Sequence, residues 1–144
     1  MKEFLQTKSV PVTFAILRIT SALFFLQAGG VKLFGWFGGM PGGVALSPLI
    51  MTAGILEVVG GGLLLLGLFT RPTAFILSGE MAFAYFLGHF PHGFWPAENN
   101  GAPAVLFCFI FLYIAAHGAG KYSLDGHLKH RKNKGSTIGT TQTT

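Results

Sequence analysis

The chain has 144 residues, of which 51% are hydrophobic and only 10% charged, with a formal net charge of +5. A soluble domain needs roughly a quarter of its residues charged to cover its surface, so the composition excludes an ordinary water-soluble globule and indicates an integral membrane protein. The positive excess does not point to nucleic acid: of ten Lys and Arg, two precede residue 10 and five lie at or beyond Lys121, as in tails beside anionic lipid.

Four apolar segments follow in order, giving an all-α expectation. The first runs over residues 11–34 and opens at Pro11, a residue the first helical turn tolerates. Arg18 interrupts the apolar region that a cleavable signal peptide would need, so this segment is expected to stay in the mature protein. A Gly/Pro-rich connection holding Trp36 and Phe37 leads to the second segment, 46–69. The tight Thr70-Arg71-Pro72 turn makes an antiparallel hairpin with the third, 72–90. A connection carrying His92, Trp95, Glu98 and Asn99 precedes the fourth, 102–118, which has no charge. Each segment has roughly 17–24 residues, against the ~20 that span the hydrocarbon. Basic residues precede the first segment, sit between the second and third (Arg71) and follow the fourth (Lys121, Lys129, Arg131, Lys132, Lys134). The positive-inside rule then places both termini in the cytoplasm, and an even number of crossings agrees with ends on one side. The expected unit is an up-down four-helix membrane bundle over residues 1–128, with a basic tail over 129–144 expected to be disordered.

Three ionisable groups lie deep in these segments: Arg18, Glu57 and Glu80. Such groups cost a few kcal/mol at the bilayer centre unless a partner or water relieves them, and they mark functional sites by default. In the first segment Ala15, Arg18, Ala22, Phe25, Gly29 and Lys32 recur at steps of three and four and share one face. In the second, Gly54, Glu57 and Gly61 share a face thin enough for close helix packing; in the third, Ala74, Ser78 and Ala82 form a small-residue stripe. At ~1.5 Å rise per residue, Arg18, Glu80 and Glu57 lie about 10, 12 and 17 Å from the cytoplasmic ends of their segments. They are expected to converge, as the candidate catalytic cluster. Lys32 and His89 fall near the opposite surface, where Lys can snorkel, and are the candidates for holding a cofactor. One Arg cannot neutralise two carboxylates, which leaves one Glu to be protonated, hydrogen-bonded or open to water. The bland alternative is that an Arg–Glu pair only fixes which helices pack together.

The remaining chemistry is sparse. Cys108 is alone in an apolar run, so no disulfide within the chain and no CxxC pair is possible. His89 and His92 lie toward one surface and His117, His127 and His130 toward the other, which argues against a haem ligated across the bundle. His89, His92 and Glu98 on one loop are weak grounds for a metal, and none is expected.

The pattern resembles the DoxX family of small bacterial four-helix membrane proteins. Its elements are Arg18 and Gly30-Val-Lys32; Gly54-Ile-Leu-Glu57-Val-Val-Gly60-Gly61 with Leu66-Gly67-Leu-Phe-Thr70-Arg71; Gly79-Glu80-Met81-Ala82; Asn99-Asn100-Gly101; and Gly118-Ala-Gly120-Lys-Tyr-Ser123-Leu-Asp125. Their order and spacing over about Pro11 to Asp125 carry the match; Asn100 stands where glycine would be expected, a departure confined to a turn. The resemblance implies a bacterial plasma-membrane location and four helices. It also implies a link to quinone-coupled thiosulfate oxidation, or to oxidoreductase assemblies that handle thiol and oxidative stress. The expectation is therefore a membrane subunit that works with a redox enzyme and a quinone, with self-association open. Its rivals are a non-enzymatic scaffold or assembly factor and, less favoured by four short helices, a transporter.

Overall fold

The structure is a computed structural model that describes residues 2–40, 42 and 45–138. It is helical throughout, with no strand among the described residues. Helix α1 spans Lys2–Phe34, α2 Pro48–Leu66, α3 Thr70–Ala84, α4 Ala102–His117 and α5 Leu124–Ile138. Two stretches, Ser9–Phe34 (mean hydropathy 1.8) and Pro48–Leu66 (mean hydropathy 2.1), are long and apolar enough to cross a bilayer, and Ala102–His117 is apolar but shorter.

Helix α1 begins well before Pro11, which lies inside it. A proline removes only one ladder hydrogen bond there, and the long apolar run beyond it carries the helix. Helix α2 opens on a serine cap: Ser47 Oγ accepts from the Ile50 amide at 3.3 Å, and Pro48 takes the first helical position. It ends at Gly67, which turns left-handed at φ 67° and lets the Leu68 amide reach back to the Leu63 carbonyl at 2.9 Å. Helix α3 does not run to residue 90 as a regular helix. It widens into a π-turn over Tyr85–His89 and tightens into a 3-10 turn over Phe90–His92. Pro91 cannot donate a backbone hydrogen bond, which ends the regular ladder there.

The tail expected to be disordered is helical from Leu124 to Ile138; residues 139–144 of that expectation lie outside the described residues. Ser123 accounts for its start. Its hydroxyl accepts from the Gly126 amide at 3.1 Å, and Asp125 places negative charge at the helix N-terminus.

Most residues on the faces inferred for the first three helices are buried, while Lys32 and Ala82 are half-buried. Ala15, Arg18, Ala22, Phe25 and Gly29 of α1 and Gly54, Glu57 and Gly61 of α2 are all buried. A Cβ added at Gly29 would lie 2.6 Å from Val58 Cγ2 and 2.7 Å from the Gly54 carbonyl oxygen. Helices α1 and α2 therefore run antiparallel with their backbones nearly touching, which only glycine permits. On α3, Ala74 and Ser78 are buried toward α4, and the Ser78 hydroxyl donates to the Cys108 carbonyl at 2.8 Å. Phe25 meets Phe111 edge-on at 4.5 Å between ring centroids, tying α1 to α4. One apolar cluster joins the four helices through Ala22, Phe25, Leu64, Leu77 and Phe111.

Candidate functional site

Arg18, Glu57 and Glu80 do not converge. Arg18 is 1% exposed, yet its guanidinium faces the α2–α3 turn. Nη1 donates to the Leu64 carbonyl at 3.0 Å and Nη2 to the Tyr122 carbonyl at 2.6 Å. A Cβ at Gly67 would fall on this guanidinium, so the glycine makes room for it. Asp125 supplies compensating negative charge. The same aspartate accepts from the Phe69 amide (3.0 Å) and the Thr70 amide (2.9 Å), capping α3 from a distant part of the chain. Arg18 thus adds a second donor to the Leu64 carbonyl, which also accepts from the Gly67 amide, and Asp125 satisfies orphan amides at the start of α3.

The reason for the correction is register. Ala22 lies opposite Gly61, and Gly29 opposite Gly54 and Val58. Glu57 therefore sits near the level of Gly29, about ten residues or ~15 Å along α1 from Arg18. No side chain bridges that gap. Lys32 fills the role instead. Side chains lean toward the N-terminus of their helix, so Lys32 reaches back about one turn, and its Nζ donates to both Glu57 carboxylate oxygens at 2.6 Å. The Glu57 side chain is 4% exposed and that of Lys32 25%. An expected surface lysine is thus the partner of the deepest acid.

Beside this pair lies a cavity of about 980 Å³, lined by all four of the apolar helices. Its walls are apolar, with Phe24, Phe25 and Phe107 among them, and its polar groups are Gln27, Lys32, Thr52, Glu57, Glu80 and His89. Ligand sites commonly have this size and make-up. Both Glu80 carboxylate oxygens are shielded from solvent and accept no hydrogen bond. Glu80 feels the charges of both Glu57 and Lys32, so one lysine serves two carboxyl groups. A buried carboxyl without a partner is costly, and its persistence at a cavity wall is the most informative feature of the site.

His89 reaches the cavity from the π-turn, a helix irregularity common at functional sites. Its Nδ1 lies 3.0 Å from the Asn99 carbonyl. A carbonyl can only accept, so Nδ1 carries the proton and Nε2 is the acceptor of the neutral ring. Asn99 is itself held, donating to the Gly93 carbonyl and accepting from the Gly101 amide, both at 2.8 Å. Of the five residues singled out from sequence, the structure brings together Lys32, Glu57, Glu80 and His89 at one cavity and places Arg18 elsewhere. Gln27 and Thr52 were not foreseen; Thr52 lies five residues before Glu57 on α2, but nothing in its type marks it. Among the described residues, no group of three or more His, Cys, Asp or Glu is arranged to hold a metal ion.

A family model described as DoxX matches residues 13–90, which hold every one of these cavity polar groups. An uncharacterized protein of Haemophilus influenzae is 43% identical over 120 residues, covering 80% of this chain and 90% of the relative. No solved structure matches the chain.

Proposed function

Because this chain belongs to the DoxX family of membrane proteins, we propose that it is a multi-pass protein of the bacterial plasma membrane whose cavity receives a quinone headgroup on behalf of a partner redox enzyme. In this reading α1 to α4 form an up-down four-helix bundle with both termini cytoplasmic. The exposed apolar surface supports it: Ile16, Val59, Phe75 and Phe109, one from each helix, are 56–64% exposed. A water-soluble protein rarely leaves so much apolar surface bare. Positive charge at the two ends of the sequence supports the orientation.

The single observation that carries the functional part is the unpartnered Glu80 carboxyl on the wall of an apolar cavity that also holds an ion pair. A quinone supplies two-electron, two-proton redox chemistry when bound. Phe24, Phe25 and Phe107 offer faces for a flat ring, and Lys32 can donate to a carbonyl oxygen. His89 Nε2 can accept from a hydroxyl on the reduced ring. Glu80, which has no protein partner to give up, exchanges a proton with a ring oxygen. Electrons come from the partner, since Cys108 alone offers no thiol pair.

A second reading has its own observation. Arg18 turns its two terminal nitrogens to backbone carbonyls, so that charge acts in helix packing, as in a scaffold or assembly factor. The two readings separate when quinone titrations of the purified protein in detergent are run on wild type, Glu57→Gln and Glu80→Gln beside their unfolding midpoints. Lost affinity with an intact midpoint in Glu80→Gln is expected. Unchanged affinity with lowered midpoints in both variants would assign the carboxyl groups to packing.

A further inference from the structure

The cavity has a side opening, and its position says what kind of molecule can use it. Two seams between the helices are closed. The glycine contacts described above join α1 to α2, and the Ser78 hydrogen bond joins α3 to α4. At the α1–α4 seam the rings of Phe25 and Phe107 cross, 5.3 Å apart, although Phe24 and Gln27 of α1 and Pro103 of α4 line the cavity and are exposed. The α2–α3 seam is closed at the Gly67–Thr70 turn and again where Leu77 packs over Gly60, and opens more widely past it. From about that level onward, cavity-lining residues on both helices are also outer-surface residues. Leu49 (62%), Ile76 (53%), Phe83 (65%) and Leu87 (56%) are exposed, as are Thr52 and Gly79. This rim carries no charge, so in a bilayer it faces acyl chains rather than water.

We propose that the α2–α3 seam is a portal from the lipid, so that the ligand is a headgroup on a long hydrocarbon chain. The headgroup lies near Lys32, Glu57 and Glu80, and the chain leaves between Thr52 and Gly79 into the membrane. The inference rests on the quinone reading and narrows it: a short, water-soluble ring is a poor ligand, and a tailed one is a good ligand. Gly79 is the narrowest residue of the rim, and a Cβ there would meet nothing within 4 Å. A large side chain at this position can therefore obstruct the portal without colliding with the core.

The test uses the full chain in lipid nanodiscs, as wild type, Gly79→Phe and Gly62→Phe. Gly62 is equally open but does not line the cavity, which makes it the control. Two probes are titrated, a benzoquinone with a ten-carbon tail and the same ring without the tail. Wild type should bind the tailed probe more tightly. Gly79→Phe should lower that affinity on the order of tenfold or more, as expected when two or more methylenes lose their burial, while changing the affinity for the bare ring less than about twofold. Gly62→Phe should match wild type for both. Tailed-probe affinity unchanged in Gly79→Phe, or lowered equally for both probes, overturns the portal and leaves the cavity reading in place. Failure of wild type to bind either probe overturns the cavity reading and the portal with it.

Discussion

Replacing Lys32 with methionine keeps the length of the side chain and removes its charge, leaving the Glu57 carboxyl facing the cavity alone. The structure sets the size of the effect. Nζ lies 2.6 Å from both carboxylate oxygens, and the Glu57 side chain is only 4% exposed. Removing one member of a fully buried pair costs about 3–5 kcal/mol because the other charge is stranded. Here the lysine side chain is 25% exposed and the pair borders a cavity, so water and proton uptake relieve part of the loss. The expected cost is about 2–3 kcal/mol, or a midpoint drop of roughly 6–10 °C for a chain of this length. The double variant Lys32→Met/Glu57→Leu removes both charges and should return to within about 1 kcal/mol of wild type, giving a coupling of at least about 1.5 kcal/mol. Thermal unfolding followed by Trp36 and Trp95 fluorescence, in one detergent for all four proteins, reads this cycle. A single variant as stable as wild type, or two additive losses, would mean that the pair is not formed.

Two further outcomes follow from the same packing. Arg18→Lys should be nearly as destabilising as Arg18→Gln, by about 2–4 kcal/mol in unfolding measurements, because an ammonium cannot span the Leu64 and Tyr122 carbonyls that the guanidinium joins. Both variants should keep the ligand affinity of the folded fraction, since Arg18 does not line the cavity. Gly29→Ala should disrupt the α1–α2 contact and lower stability, whereas Gly62→Ala, with nothing within 4 Å, should raise it by about 0.5–1 kcal/mol in unfolding measurements.

The helical faces were legible in the sequence because burial and spacing are local. Ala15, Arg18, Ala22 and Phe25 declare their shared face by steps of three and four, and Gly54 and Gly61 declare a close approach. The pairing of charges was not legible. It depends on how far one helix slides along the next, and here the Gly29–Gly54 contact and the Gly67 turn set that register, not distance from the presumed membrane surface. Lys32 was misjudged for a second reason: a side chain leaning back along its helix acts a turn away from its own Cα. The capping of α3 by Asp125 joins residues 55 apart in sequence, which no periodicity reveals. The π-turn at Tyr85–His89 left its mark only in the nearby Pro91, too weak to separate from an ordinary helix end.

A photoreactive, tailed quinone analogue incorporated with the protein into nanodiscs, followed by peptide mapping, asks whether the cavity is a ligand site at all. Crosslinks should concentrate on residues 49–57 of α2 and 76–89 of α3, should fall when unlabelled tailed quinone is added, and should weaken in Glu80→Gln. Labelling spread evenly over the outward faces of α1 and α4, or undiminished by competitor, would show that the probe meets this protein only as lipid does.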